Sequence, residues 1–203
     1  MIQSGRFFSI VFFWVWVGLP TAALLLAAEP PGKQSRPFEQ RVAVPIDAVR
    51  IDDGDTLKIV WAADDEEIVR ILGIDTPETR HDEHDIPFDQ PFGREATAFA
   101  RGVFAMADKV ELLRAATVDP YGRTLGYVYV NGKNFSVVIL RAGLAIESVS
   151  AFGDNGFPQQ AAECVEAAKA AGPAPFEPPH IFRKRMRAVA ERMRADGLLP
   201  PKL

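Results

Sequence analysis

Two short acidic corners carry the side chains best suited to chemistry. One is Asp53-Gly54-Asp55-Thr56. The other is Asp75-Thr76-Pro77-Glu78, at the end of the apolar run Val69-Arg70-Ile71-Leu72-Gly73-Ile74. Carboxylates so placed can ligate a hard cation or take a proton from water, and a nearby guanidinium can grip an anion. Pro77 fixes φ and removes a donor, so the second corner is stiff and sets Asp75 and Glu78 near one another. Arg70 lies inside an apolar strand, where its charge is costly unless a partner or bound anion satisfies it. Alone, Asp-Thr-Pro-Glu is ordinary turn or helix-cap material. Its neighbours give it more weight.

The flanking pattern predicts the elements that position these groups. Arg41 to Ile51 alternates loosely as a strand, Leu57 to Trp61 is a second, and Val69 to Ile74 a third. Such a meander brings both acidic turns to one end of a sheet. The Asp64-Asp65-Glu66-Glu67 run between the second and third strands reads as a solvated loop. His81-Asp82-Glu83-His84-Asp85, on to Pro91, reads as a mobile acidic surface loop whose histidine spacing fits no defined zinc site. Residues 93–107 form a helix, with Phe92, Ala96, Phe99, Val103 and Met106 as its apolar stripe. Strands follow at 109–113 and 124–130, joined through Asp119-Pro120-Tyr121-Gly122-Arg123 and ending at the hairpin signal Asn131-Gly132. A short helix from Phe135 to Ala142 stops at Gly143, before a last short strand at 144–146. Five strands with a helix after the third predict a mainly β fold, a small closed antiparallel OB-type barrel with packed helices.

Composition bounds the rest. At 203 residues and 48% hydrophobic content, one main domain with tails is expected. A net charge of -4 excludes a protein held to nucleic acid by bulk positive charge, so any phosphate would be met by a few placed cations or a metal. The one cysteine, Cys164, permits no internal disulfide and falls on the small-residue face of an Ala-rich helix, as a buried, inert thiol. Phe7 to Ala28 is uncharged and apolar, and residues 1–28 are expected to be an export signal or a membrane anchor. Either fate places the domain outside the cytoplasm, secreted, periplasmic or tethered. Residues 29–40 are a linker, 41–171 the domain, 172–180 a Pro-rich linker and 181–203 a basic amphipathic helix with its tail.

Asp53-Gly54-Asp55-Thr56, Arg70 to Thr79 and Asp119-Pro120-Tyr121-Gly122-Arg123 closely resemble the three signature blocks of the thermonuclease (staphylococcal nuclease-like) family. They stand in the same order and at similar separations, with the helix opened by Phe92-Gly93-Arg94-Glu95-Ala96 between them. Leu140 to Ala145 also resembles the family's short helix and following strand, and the likeness runs from about Val42 to Ala170.

The resemblance implies an OB-fold enzyme that hydrolyses phosphodiester bonds of DNA and RNA with Ca2+ and leaves 3′-phosphorylated products. It implies Asp55, Asp75 and the Thr76 carbonyl as calcium ligands, Glu78 as the general base, and Arg70, Arg123 and Tyr121 as contacts to the phosphate. The chemistry agrees: calcium prefers oxygen donors, and a planar guanidinium forks onto phosphate oxygens. Nucleic acid is then the partner, membrane contact runs through the N-terminal segment, and a monomer is expected. Three departures bear on substrate grip. Pro120 replaces a lysine, Val149 and Ala151 stand where two base-pocket tyrosines are expected, and the loop after Thr79 is acidic. The alternative is an OB-fold module that binds nucleic acid or protein without cleaving.

The C-terminal helix shows Phe182, Met186, Val189 and Met193 on one face. Its cations Arg183, Lys184, Arg185, Arg187, Arg192 and Arg194 outnumber Glu191 and Asp196. It is expected to pack on the barrel with its cations solvated, to lie on an anionic membrane, or to track phosphates.

Overall fold

The computed structural model describes residues 32–202, so the expected export or anchor segment lies outside the described residues. Among the described residues, nine strands and five α-helices follow in chain order: β1 (Arg41–Val44), β2 (Val49–Ile51), β3 (Thr56–Ala62), β4 (Asp65–Ile71), β5 (Ile74–Asp75), α1 (Gly93–Ala105), β6 (Val110–Val118), β7 (Thr124–Val130), β8 (Lys133–Asn134), α2 (Phe135–Arg141), β9 (Ile146–Glu147), α3 (Val149–Phe152), α4 (Pro158–Ala171) and α5 (Pro179–Ala195). Among the described residues, no helix is long and apolar enough to cross a membrane.

The main sheet runs β1-β6-β7-β4-β3-β2, with β8 added to β7. Its ends are two halves of one stretch. The expected first strand is broken by Pro45 and a 3-10 turn at Ile46–Ala48, after which the chain pairs with the opposite edge. Its first half lies antiparallel to β6 and its second antiparallel to β3, so one bent segment joins both sides of the sheet. The expected OB-type barrel of five principal strands is thus present. It differs from a wholly antiparallel one at β4 and β7, which run parallel with Arg70 beside Leu125.

Leu57, Ile59, Val69, Leu112, Val128, Phe135 and Ile139 fill the interior. A buried ion pair shares it. Arg114 Nε and Nη2 donate to Glu67 at 2.7 and 2.8 Å, while Thr124 Oγ1 and Trp61 Nε1 donate to the same carboxylate. Glu67 is therefore no member of a solvated loop. The strand begins at Asp65, and its alternation turns Glu67 inward, where the donors compensate its charge.

The stripe of α1 is also displaced from the expected one. Ala96, Thr97, Ala100 and Phe104 are buried, while Met106 is exposed. Phe92 precedes the helix in a left-handed conformation and packs its ring against Phe176, so it does not belong to the stripe. Helix α4 covers the chain just after β4. Cys164 is fully buried there, and burial pushes its thiol up to about 12, which keeps it protonated and inert as expected.

Helix α5 packs away from the main core. Phe182 and Met186 bury themselves on Ile86, with Val189 alongside, forming a small separate cluster. Arg194 and Lys202 reach Asp85 at 2.5 and 2.6 Å. The 81–91 segment is thus a docking platform, with Asp85, Ile86 and Gln90 buried, and not merely an acidic surface loop.

Candidate active site

Two corners and one strand build the site. The turn before β3 is organised by Asp53, whose Oδ1 accepts from the N–H groups of Asp55 and Thr56 at 2.9 and 2.7 Å. The corner after β5 lies directly against it: Thr76 N–H donates to Asp55 Oδ2 at 2.7 Å. Gly54 permits that approach, since a Cβ there would meet the Thr76 side chain at 2.8 Å. Asp55, Asp75 and Thr76 are all buried.

Arg70 stands opposite Thr56 on the neighbouring strand and bridges the corners. It pairs with Asp55 Oδ1 at 2.5 Å and Asp75 Oδ1 at 3.1 Å, and also donates to the Asp55 and Ile74 carbonyls. The cation foreseen in an apolar strand is satisfied by both acidic corners.

Glu78 completes the group. Its N–H donates to Gln90 Oε1 at 3.2 Å, and its carbonyl accepts from Gln90 N–H at 2.8 Å. Gly93 lies so near that a Cβ would meet the Glu78 carbonyl oxygen at 2.2 Å. Burial raises the Glu78 pKa above the usual carboxylate value, with Asp55 and Asp75 adding to the shift, while the hydrogen bond from Arg183 opposes it. Asp53 is pushed further, to about 7, by burial and by neighbouring Asp55.

Arg183 enters from α5. Its Nη1 and Nη2 donate to Asp75 Oδ1 and Oδ2 at 2.9 and 3.0 Å, and Nη1 also pairs with Glu78 Oε1. Sequence reasoning placed this arginine among solvated cations. The available signal was its position in a basic run on an amphipathic helix, following a proline-rich connection to an acidic domain.

Arg123 and Tyr121 stand apart from this group, on the turn between β6 and β7. Asp119 accepts from the Arg123 guanidinium at 2.7 Å, and the guanidinium lies 5.6 Å from the exposed Tyr121 ring. Among the described residues no ion pair joins Arg123 to Asp55, Arg70, Asp75, Glu78 or Arg183. The parallel pairing of β4 and β7 sets Thr124 beside Val69, so Arg123 precedes a strand that flanks the strand of Arg70.

The donor set suits a hard dication. Asp55 and Asp75 are buried carboxylates, and hard oxygen ligands are what calcium takes; guanidinium groups balance their charge in this structure. Beside them, Asp52, Asp53 and His81 bring one ligand atom each within 4.8 Å of one another.

A family model described as staphylococcal nuclease homologue matches residues 68–173. Endonuclease YncB of Bacillus subtilis (strain 168) is 34% identical over 107 residues, which are 52% of this chain and 49% of the relative. The SPbeta prophage-derived endonuclease YokF of the same organism is 36% identical over 97 residues, 47% of this chain and 31% of the relative. The thermonuclease of Staphylococcus intermedius is 37% identical over 97 residues, 47% of this chain and 55% of the relative. The chain therefore spans about half or less of the length of these relatives. The family match starts after the Asp53–Thr56 corner, so hydrogen bonding joins Asp55 to the matched part. With more than half of its residues inside that match, the chain belongs to the staphylococcal nuclease homologue family.

Proposed function

We propose that the chain is a calcium-dependent nuclease that hydrolyses phosphodiester bonds of DNA and RNA and leaves 3′-phosphorylated products. The observation that carries this is the convergence of Asp55, Arg70, Asp75 and Glu78 at one corner of the barrel. The names of the relatives, two endonucleases and a thermonuclease, support the same activity.

Asp55, Asp75 and the Thr76 carbonyl would hold calcium, which supplies Lewis-acid polarisation of a phosphoryl oxygen. Glu78, fixed at its backbone by Gln90, aims a water and takes its proton. Arg70, whose guanidinium binds Asp55, Asp75 and two carbonyls, would exchange part of those bonds for phosphate oxygens. Arg123 and Tyr121 approach the phosphate from the neighbouring turn, where Arg123 exchanges part of its bond to Asp119 for phosphate oxygens. The proposal includes export or anchoring by residues 1–28, action outside the cytoplasm, and a monomer. Its domain layout places the catalytic unit at 41–171.

The test is incubation of the full chain with single-stranded DNA and RNA, with calcium or with excess EGTA. Calcium-dependent degradation that Glu78→Gln abolishes supports the proposal. Cleavage that persists in EGTA, or that is unchanged in Glu78→Gln, overturns it.

A further inference from the structure

Asp75 is doubly claimed. Arg70 takes one of its oxygens, and Arg183 takes both of them while also binding Glu78. A metal ligated by Asp75 draws on the same two oxygens and the same charge. Two cations cannot hold that carboxylate at full strength together, and each one's positive charge disfavours the other.

We propose that Arg183 is the resident counter-cation of the site: Arg183 and a dication are alternative partners of Asp75, and loading with metal displaces the arginine. Helix α5 thereby sets the metal concentration at which the site fills. This rests on the calcium reading above and deepens it with a control of that site.

The anchoring of α5 fits a displaceable element. Its apolar contact is the small cluster of Ile86, Phe182 and Met186, separate from the barrel core, so the helix can shift without opening the main interior. A proline-containing segment, from Gly172 to Pro178, connects it to α4. Its other ties include Arg194 and Lys202 on Asp85, the Glu177 carbonyl on Gln90 Nε2 at 2.7 Å, and the Phe176 ring against Phe92. Arg183 itself keeps 26% of its side chain exposed, whereas Asp75 keeps 6%. The arginine therefore has a route to solvent that its partner lacks.

The linkage has a definite sign. An ion pair that must break before metal binds subtracts from metal affinity, so its removal tightens binding; couplings of this kind run from about 5- to 150-fold. Removal also leaves Glu78 without its arginine and Asp75 with Arg70 alone, which destabilises the protein until metal supplies the missing charge.

The experiment is calorimetric calcium titration of the full chain, with melting curves in EGTA and in calcium, for the wild type, Arg183→Gln and Arg183→Lys. Arg183→Gln is expected to bind calcium about tenfold more tightly. It should melt lower than wild type in EGTA and regain most of that loss in calcium. Arg183→Lys, which keeps the charge, should lie nearer wild type. A folded Arg183→Gln that binds calcium no tighter than wild type, or whose melting loss is the same with and without calcium, overturns the proposal. If Arg183→Gln does not fold, Asp85→Asn loosens α5 through Arg194 and Lys202 and leaves Arg183 in place. Tighter binding in that variant supports the displacement, and unchanged affinity overturns it. Absence of calcium binding in the wild type and every variant removes the calcium reading itself. Binding by wild type without a gain in the variants removes only the role of Arg183.

Discussion

Gln90 holds Glu78 by both faces of its backbone, accepting from its N–H at 3.2 Å and donating to its carbonyl at 2.8 Å. Gln90 is itself buried and tied to Glu177, so the carboxylate proposed to aim the water is braced from the 81–91 segment. A displacement near 1 Å at a reacting group can cost on the order of 10²-fold in rate. Gln90→Ala is therefore expected to lower kcat by about one to two decades without weakening calcium binding, which should if anything tighten because the Glu177 tie of α5 is lost. Gly93→Ala should lower kcat in the same way, because its new methyl meets the Glu78 carbonyl. Steady-state kinetics beside calcium titration reads the split. A loss of metal affinity as large as the loss of kcat would show that Gln90 serves the fold and not Glu78.

The pH profile should carry the mark of a raised carboxyl. Burial lifts the Glu78 pKa above its ordinary value, and a general base works only when ionised. The rate should accordingly rise with pH through a value above the usual carboxylate range, then level off. Glu78→Gln should lose that limb and fall by about 10²- to 10⁴-fold, the usual contribution of a positioned base. An acid limb that survives in Glu78→Gln would assign the titration to another group, with Asp53 the first candidate.

Glu67 and Arg114 predict an effect on stability. Their side chains are 3% and 2% exposed, and breaking such a buried pair from one side typically costs about 3–5 kcal/mol. Glu67→Ala should lower the urea midpoint accordingly. Burial alone would raise the Glu67 pKa, but donors from Arg114, Thr124 and Trp61 outweigh it and hold the carboxyl below its ordinary value. A depressed folded-state pKa gives stability that is present above the unfolded value and lost as pH falls through the folded one. Wild type should thus lose stability in acid through this pair, and Glu67→Gln should flatten that part of the curve. Urea melts from pH 3 to pH 7 would show it.

Arg123 should behave as a phosphate group and not as a metal-site group. It donates to Asp119 and, among the described residues, pairs with none of Asp55, Asp75, Glu78, Arg70 and Arg183. Arg123→Ala is expected to lower kcat by about 10²- to 10³-fold, as loss of one charge stabiliser does, with unchanged calcium affinity. Arg70→Ala differs, since Arg70 also neutralises Asp55 and Asp75; it should lower the melting temperature as well as the rate. Equal losses of stability in the two variants would contradict this division.

The site was legible where residue type and chain stiffness agree. Asp55, Asp75 and Glu78 sit at corners that proline, glycine and an Asp-centred turn fix locally, so short windows of sequence sufficed. The barrel was legible because strand alternation and turn residues repeat within a few positions. What escaped reading depends on distant partners. Glu67 looks like the end of an acidic run until β4 turns it inward onto Arg114, 47 residues away. Arg183 looks like one solvated cation among several, and only the docking of α5 on Ile86 carries it to Asp75, 108 residues earlier. Met106 fits a helical stripe by spacing, but α1 ends before it and leaves it exposed.

The side-by-side course of β4 and β7 has a bearing on how the chain can change over time. Arg70 lies on one and Arg123 just before the other of two strands locked in register, Arg70 beside Leu125, so sheet hydrogen bonds determine the gap between the two strands. Insertions or exchanges in the connecting segments can therefore remodel the surroundings of the two guanidinium groups without altering the backbone spacing that separates them.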